Sequence, residues 1–193
     1  MRKLLDWEQL NSTCSDCRNC ALAGNRTNIV IGRGNPNAPV MFIGEGPGEQ
    51  EDLHGLPFVG PAGQLLDTLL EALKFTPDEY YIANVVKCRP PNNRVPNEQE
   101  AEKCLPYLRN QVSLIRPHII VCLGSTAAKY VVAKDIKITQ IRGQWINKKK
   151  FWIMPTFHPA ALLRDQSKKE LLFKDIKEVK NKISQLKSEA SGG

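Results

Sequence analysis

No stretch of this chain approaches the roughly 20 consecutive apolar residues that a membrane-spanning helix needs, and no apolar segment follows its Met1-Arg2-Lys3 start. The first absence excludes a spanning helix, and the second leaves no secretion signal to expect. Internal repeats and Pro/Gly/Ser-rich linkers are also missing. The chain therefore reads as one domain over residues 1–188, with a frayed tail at 189–193. Histidine is scarce, three in 193 residues, and cysteine only a little less so at six. Each such residue can be weighed individually.

Basic residues outnumber acidic ones by 27 to 20, for a net charge of +7 and a pI near 9.1. A positive surplus suits a polyanionic partner, because neutralised phosphates release counterions. Part of it lies in Lys148-Lys149-Lys150 and in the lysines after Lys168, which also read as solvated faces.

β-rich apolar runs alternate with helical periodicities. Strands are expected at Asn28–Ile31, Val40–Gly44, Tyr80–Val86, His118–Gly124, Lys137–Ile141 and Phe151–Met154. Two of them are continuously apolar, as strands of a parallel sheet buried on both faces are. Helices are expected over Pro61–Lys74, Glu98–Ile115, Ser125–Ala133 and Lys168–Leu186, with a short one after Thr76. Ser167 and Glu170 have capping-box spacing. The pattern predicts a three-layer α/β/α fold around a central, mostly parallel sheet. In such sheets functional groups gather beyond the carboxyl ends of strands. The loops Glu45–Gly60, Cys88–Asn97 and Thr156–Arg164 should therefore meet at one rim.

Cys14 and Cys17 form C-x2-C, and after 70 residues Cys88 and Cys104 form C-x15-C. Four soft thiolates suit structural zinc or an iron–sulfur cluster rather than a hard cation. Disulfides or scattered core thiols are the plainer alternatives. Cys20 makes a second C-x2-C with Cys17 and is able to replace either member of the first pair. Cys122 sits in a buried strand and reads as a core thiol.

The first loop runs Gly44-Glu45-Gly46-Pro47-Gly48-Glu49-Gln50-Glu51-Asp52. It matches neither phosphate-cradle spacing, and its four carboxylates would repel phosphate. They suit water activation or stabilisation of developing positive charge, or else an acidic turn in solvent. Phe58, in Gly55-Leu56-Pro57-Phe58-Val59-Gly60, is placed to stack on a planar base or simply to pack. Asn84 interrupts an apolar strand with an amide able to read a pyrimidine edge, or to hold a neighbouring backbone. His158, after the last strand, is positioned to donate to a developing anion. Leu162, Leu163 and Arg164 form an apolar wedge with a phosphate-reaching end.

Together these segments, with Val86-Lys87-Cys88-Arg89-Pro90-Pro91 and His158-Pro159-Ala160-Ala161-Leu162-Leu163-Arg164, resemble the family 4 uracil-DNA glycosylases, the iron–sulfur branch of the uracil-DNA glycosylase superfamily. The likeness spans roughly Cys14 to Lys180. It implies a 4Fe–4S cluster on Cys14, Cys17, Cys88 and Cys104. It also implies hydrolysis of the N-glycosidic bond of a uracil flipped from single- or double-stranded DNA, leaving an abasic site and releasing free uracil. Phe58 would then stack on the base, with Gly44 and Gly46 shaping the pocket. Asn84 would read the polar edge, and His158 would hydrogen-bond the carbonyl. Glu45 is the first choice for positioning water. Glu51 and Asp52 are reserves, or walls that exclude thymine's methyl group. Arg89 and Arg94 would reach phosphates. The family 1 enzymes carry an aspartate where this chain has Gly46, which leaves the water-positioning group as the open assignment. A related branch traps uracil-DNA covalently through a histidine after the equivalent of Asn84. Lys87–Pro96 contains none, so turnover is expected over capture. A non-catalytic or trapping uracil-DNA binder of the same fold is the alternative, and a zinc-structured hydrolase of free nucleotides a further one. The expected setting is the cytoplasm beside the nucleoid, the expected state a monomer. Docking to a replication or repair protein is left open.

Overall fold

Val40–Gly44 (β2) and Ile119–Leu123 (β4) are buried at every residue in the computed structural model, which describes residues 4–191. They lie side by side in parallel at the centre of the sheet. Tyr80–Asn84 (β3) pairs in parallel with β2, and Trp152–Thr156 (β6) with β4. Two-residue antiparallel strands, Arg33–Gly34 (β1) and Ile146–Asn147 (β5), close the edges, for a strand order of β1-β3-β2-β4-β6-β5.

Alternation along β2 builds two cores. Met41 and Ile43 face one of them, packed by Trp7–Ser15 (α1), Glu98–Ile115 (α4) and Gly124–Val131 (α5) through Leu10, Leu105, Leu108 and Ala127. Val40 and Phe42 face the other, packed by Pro61–Ala72 (α3), Ala160–Arg164 (α7) and Lys169–Ser191 (α8) through Leu66, Leu70, Leu162 and Ile176. The architecture is three-layer α/β/α, as the alternation of runs implied. Among the described residues no helix is long and apolar enough to cross a membrane.

Several local expectations are corrected. Asn28–Ile31 is not a strand. Only Val30 N–H reaches a neighbouring backbone, at Lys87 O, and the ladder forms instead at Arg33–Gly34. Lys137–Ile141 holds a short helix, Ile138–Ile141 (α6), because Ile138 and Ile141, three apart, both pack on the first core. The stretch Glu45–Gly60 is not wholly irregular, since Glu49–His54 (α2) forms within it. Ser167 N–H is capped by Asp165 rather than opening a box with Glu170. α8 runs on to Ser191, and residues 192–193 of the expected tail lie outside the described residues.

Register then sets the site. Gly44 lies opposite Asn84, and Leu123 opposite Thr156. The four central strands end together, so the loops that follow them share one rim.

Candidate functional site

A cleft of about 670 Å³ opens at that rim, with Glu45, Phe58, Asn84, Thr126, His158 and Leu163 in its lining. Phe58 holds its place at a conformational cost. Its φ of 56° lies in the left-handed region that non-glycine residues avoid, a strain of order 1–3 kcal/mol. The surroundings enforce it. Glu51 accepts hydrogen bonds from the backbone N–H groups of Gly48, Val59 and Gly60 at 3.1, 2.9 and 2.8 Å. Arg33, paired with Asp67, donates to the carbonyls of Pro57 and Phe58. The first turn of α3 sits so close that a Cβ at Gly63 would lie 1.9 Å from Phe58 O. Glu51, which also lines the cleft, is thus placed as a strut of the Phe58 loop. Asp52 is corrected. It is 3% exposed and accepts from the N–H groups of Thr27 and Asn28, away from the cleft, so it walls no pocket.

Asn84 is the anomaly of the site. Its Oδ1 is buried and has no hydrogen-bond partner among the described residues. Folded proteins seldom leave such an atom unsatisfied, since desolvating it costs about 1–3 kcal/mol. Gly44 makes the space for it: a Cβ there would sit 2.4 Å from Asn84 Oδ1 and 2.7 Å from the Phe58 ring. A Cβ at Gly46 would meet Val86 at 2.7 Å, so that glycine lets the loop pack closely on the strand end after β3.

His158 stacks on Phe58, ring centroids 5.4 Å apart and planes 28° from parallel. Its Nδ1 accepts from Ala160 N–H at 3.1 Å, which leaves the proton of the neutral ring on Nε2. Burial pushes the imidazole down to about 4, against the opposing pull of the Glu51 carboxylate. The ring is therefore neutral near pH 7, a donor through Nε2. Glu45 accepts from the Thr126 hydroxyl in the first turn of α5, which fixes its carboxylate beside the opening.

The rim separates the expected DNA contacts. Arg94 grips both oxygens of the nearly buried Glu100, at 2.8 and 2.7 Å, and so holds the loop before α4 instead of standing free. Arg89 bonds Asn93 and Glu49 across an exposed surface. Leu162 is corrected: it is 6% exposed in the second core and cannot act as a wedge, whereas Leu163, 54% exposed, points outward beside the exposed Arg164.

On the face of α1 and α4, five cysteines rather than four line one small cavity: Cys14, Cys17, Cys20, Cys88 and Cys104. All are free thiols, so the disulfide alternative fails, and Cys122 is a core thiol in β4. Among the described residues no three ligating side chains already converge on one metal position. The surroundings nonetheless suit an anionic metal centre. Arg26 donates to Cys88 Sγ at 3.2 Å and Lys87 N–H to Cys104 Sγ at 3.3 Å. Burial pushes the Cys14 and Cys104 thiols up to about 12, so thiolates form there only against added positive charge.

Residues 31–182 match the family model of the uracil DNA glycosylase superfamily. The chain is 44% identical over 182 residues to the type-4 uracil-DNA glycosylase of Thermotoga maritima, an alignment covering 91% of this chain and 94% of the relative. The type-4 enzyme of Sulfurisphaera tokodaii is 44% identical, over 90% of this chain and 83% of that one. That of Saccharolobus solfataricus is 45% identical, over 87% and 82%. The chain belongs to the type-4 uracil-DNA glycosylases.

Several supports of this type-4 site were not among the residues singled out from the linear pattern. Thr126 behind Glu45, Arg33 behind Phe58 and Arg26 beside the cysteines are brought in from elements far away in sequence. For Thr126 a signal existed, because Gly124-Ser125-Thr126 directly follows a strand of the parallel sheet. Arg33 and Arg26 carried none.

Proposed function

We propose that this chain is a DNA repair enzyme that removes uracil from single- and double-stranded DNA by hydrolysing its N-glycosidic bond, acting as a monomer. The observation that carries the reading is the buried, unpartnered Asn84 Oδ1 facing a cleft whose aromatic wall is Phe58. A polar atom left unsatisfied inside a built pocket is an atom awaiting a ligand. Asn84 Oδ1 accepts from the uracil ring N–H and its amide donates to the neighbouring carbonyl, an arrangement that cytosine's amine does not match. The base reaches this depth only when flipped out of the stack. Phe58 covers its face.

As the bond to the sugar lengthens, negative charge grows on the uracil carbonyl. His158 Nε2–H is neutral and already oriented, so it stabilises that charge without first losing a proton. Glu45, fixed by Thr126, holds the attacking water or the cationic sugar. Leu163 fills the gap left in the stack, and Arg164 and Arg89 meet flanking phosphates. Four of the five cavity thiols hold a 4Fe–4S cluster, which supplies a covalent clamp between the N-terminal segment, the loop after β3 and α4. The set that would hold it is Cys14, Cys17, Cys88 and Cys104, with Cys20 able to replace Cys14 or Cys17.

A uracil-containing oligonucleotide, incubated with the protein and cleaved with alkali, tests the activity. Strand cleavage on single-stranded, U·A and U·G substrates is expected, with U·G preferred over U·A because a mispair opens at lower cost. Retained binding with no base release would leave the non-catalytic reading standing.

A further inference from the structure

Lys87 is fully buried, and among the described residues no carboxylate pairs with it. Its Nζ donates to Asn84 O at 2.8 Å and to Gln111 Oε1 at 2.7 Å, both neutral acceptors. Gln111, also fully buried, is occupied in turn by Ile31 O and the Tyr81 hydroxyl. A buried cation surrounded only by neutral groups is expensive, and proteins keep one where an anion lies nearby. On the side of the cysteines, Lys87 lines their cavity, its backbone N–H donates to Cys104 Sγ, and the thiols of Cys14 and Cys104 are the titratable groups near its ammonium. Cys104 and Gln111 are seven residues apart on α4, two turns along one face, so one helix presents both the cavity and the lysine's second acceptor.

We propose that Lys87 is a positioning residue that joins the two centres: its charge is the buried counter-ion of the net-negative thiolate cluster, and its Nζ tethers the carbonyl of Asn84, the residue that reads uracil. This rests on the proposed cluster and on the role proposed for Asn84. With the cluster in place the ammonium is compensated and anchors the end of β3 through the Asn84 carbonyl beside the thiols. Without it, the same ammonium is an uncompensated buried charge, and the strand end carrying Asn84 loses its anchor. The arrangement accounts for a clamp built next to the base pocket in an enzyme whose chemistry needs no electron transfer.

The test uses holoprotein purified without oxygen. Iron and sulfide are quantified first, because native protein lacking both would overturn the cluster reading and this proposal with it. Lys87→Met and Gln111→Met are then compared for the rate of iron release to a chelator and for inhibition by free uracil. Lys87→Met should release iron about tenfold faster and bind uracil about tenfold more weakly, the loss of one charge-assisted contact at each end. Gln111→Met, which keeps the charge and the Asn84 bond, should stay within about twofold of native in both. Should Lys87→Met not fold, Lys87→Arg carries the charge, and iron release near the native rate supports the counter-ion. Native iron release in Lys87→Met, or equal acceleration by both methionine variants, overturns the counter-ion. Unchanged uracil inhibition in Lys87→Met overturns the tether.

Discussion

Truncating Glu51 separates a strut from a catalyst. Its Oε1 takes the N–H groups of Val59 and Gly60, and its Oε2 that of Gly48. Each bond contributes about 1 kcal/mol net, so Glu51→Ala should cost about 3 kcal/mol. Glu51→Gln keeps an oxygen for Val59 and Gly60 and turns an amide N–H toward Gly48, for a loss of about 1 kcal/mol. In a chain of this length that is a fall in Tm of about 6–12 °C for alanine and about 2–4 °C for glutamine. Function should follow the same gradient. With the Val59 and Gly60 bonds gone, the left-handed strain at Phe58 relaxes and the ring leaves the base plane. Uracil inhibition should therefore weaken markedly in alanine and little in glutamine. Thermal unfolding and steady-state kinetics on a U·G duplex read both. Glutamine and alanine variants that are equally inactive while Tm stays native would refute the strut, because a water-activating carboxylate is abolished alike by either change.

Other expectations follow from the same geometry. Asn84→Leu removes a buried unsatisfied oxygen while keeping the branching and heavy-atom count, so stability should hold or rise by up to about 1–2 kcal/mol while uracil release is lost; a Tm that falls sharply would mean the amide has structural partners. His158 has a folded pKa of about 4, below the ordinary 6.5, so the unfolded chain takes the proton first. Its contribution to stability is complete above pH 6.5 and is lost as pH falls through about 4. The acid limb of kcat should therefore lie near pH 4, and a limb near 6.5 that disappears in His158→Ala would show an imidazole titrating as if in water. On duplex DNA, Arg164→Ala should reduce the slope of log affinity against log salt by about 1, whereas Arg94→Ala should leave the slope unchanged and lower Tm, because its charge is committed to Glu100. Equal slopes for both variants would return Arg94 to the phosphates.

Much of the site was legible because it sits at strand ends. The continuous apolar runs at Val40 and Ile119 specify buried parallel strands, and the loops behind such strands converge wherever the sheet lies. Asn84 stood out as one amide in an apolar strand, and His158 as a histidine placed just after one. Errors arose where a few residues satisfy two periods at once. Ile138 and Ile141 suit a strand edge or a single helical turn, and packing on the first core chose the turn. Leu162 and Leu163 are indistinguishable in sequence, and the 100° between adjacent helical positions buries one and exposes the other.

By itself, then, the order of residues determined the layers, the strand ends and the chemical types that meet there, since periodicity and local sterics act between near neighbours. Tertiary structure alone decided which groups stay available. Glu51, Asp52 and Arg94 look free along the chain and are engaged in the fold. Asn84 Oδ1 looks like any buried amide and is left open. A fifth cysteine joins four, and a lysine without a carboxylate lies between the thiols and the base-reading strand. Those outcomes depend on partners tens of residues away, and only the packed chain brings them within hydrogen-bonding reach.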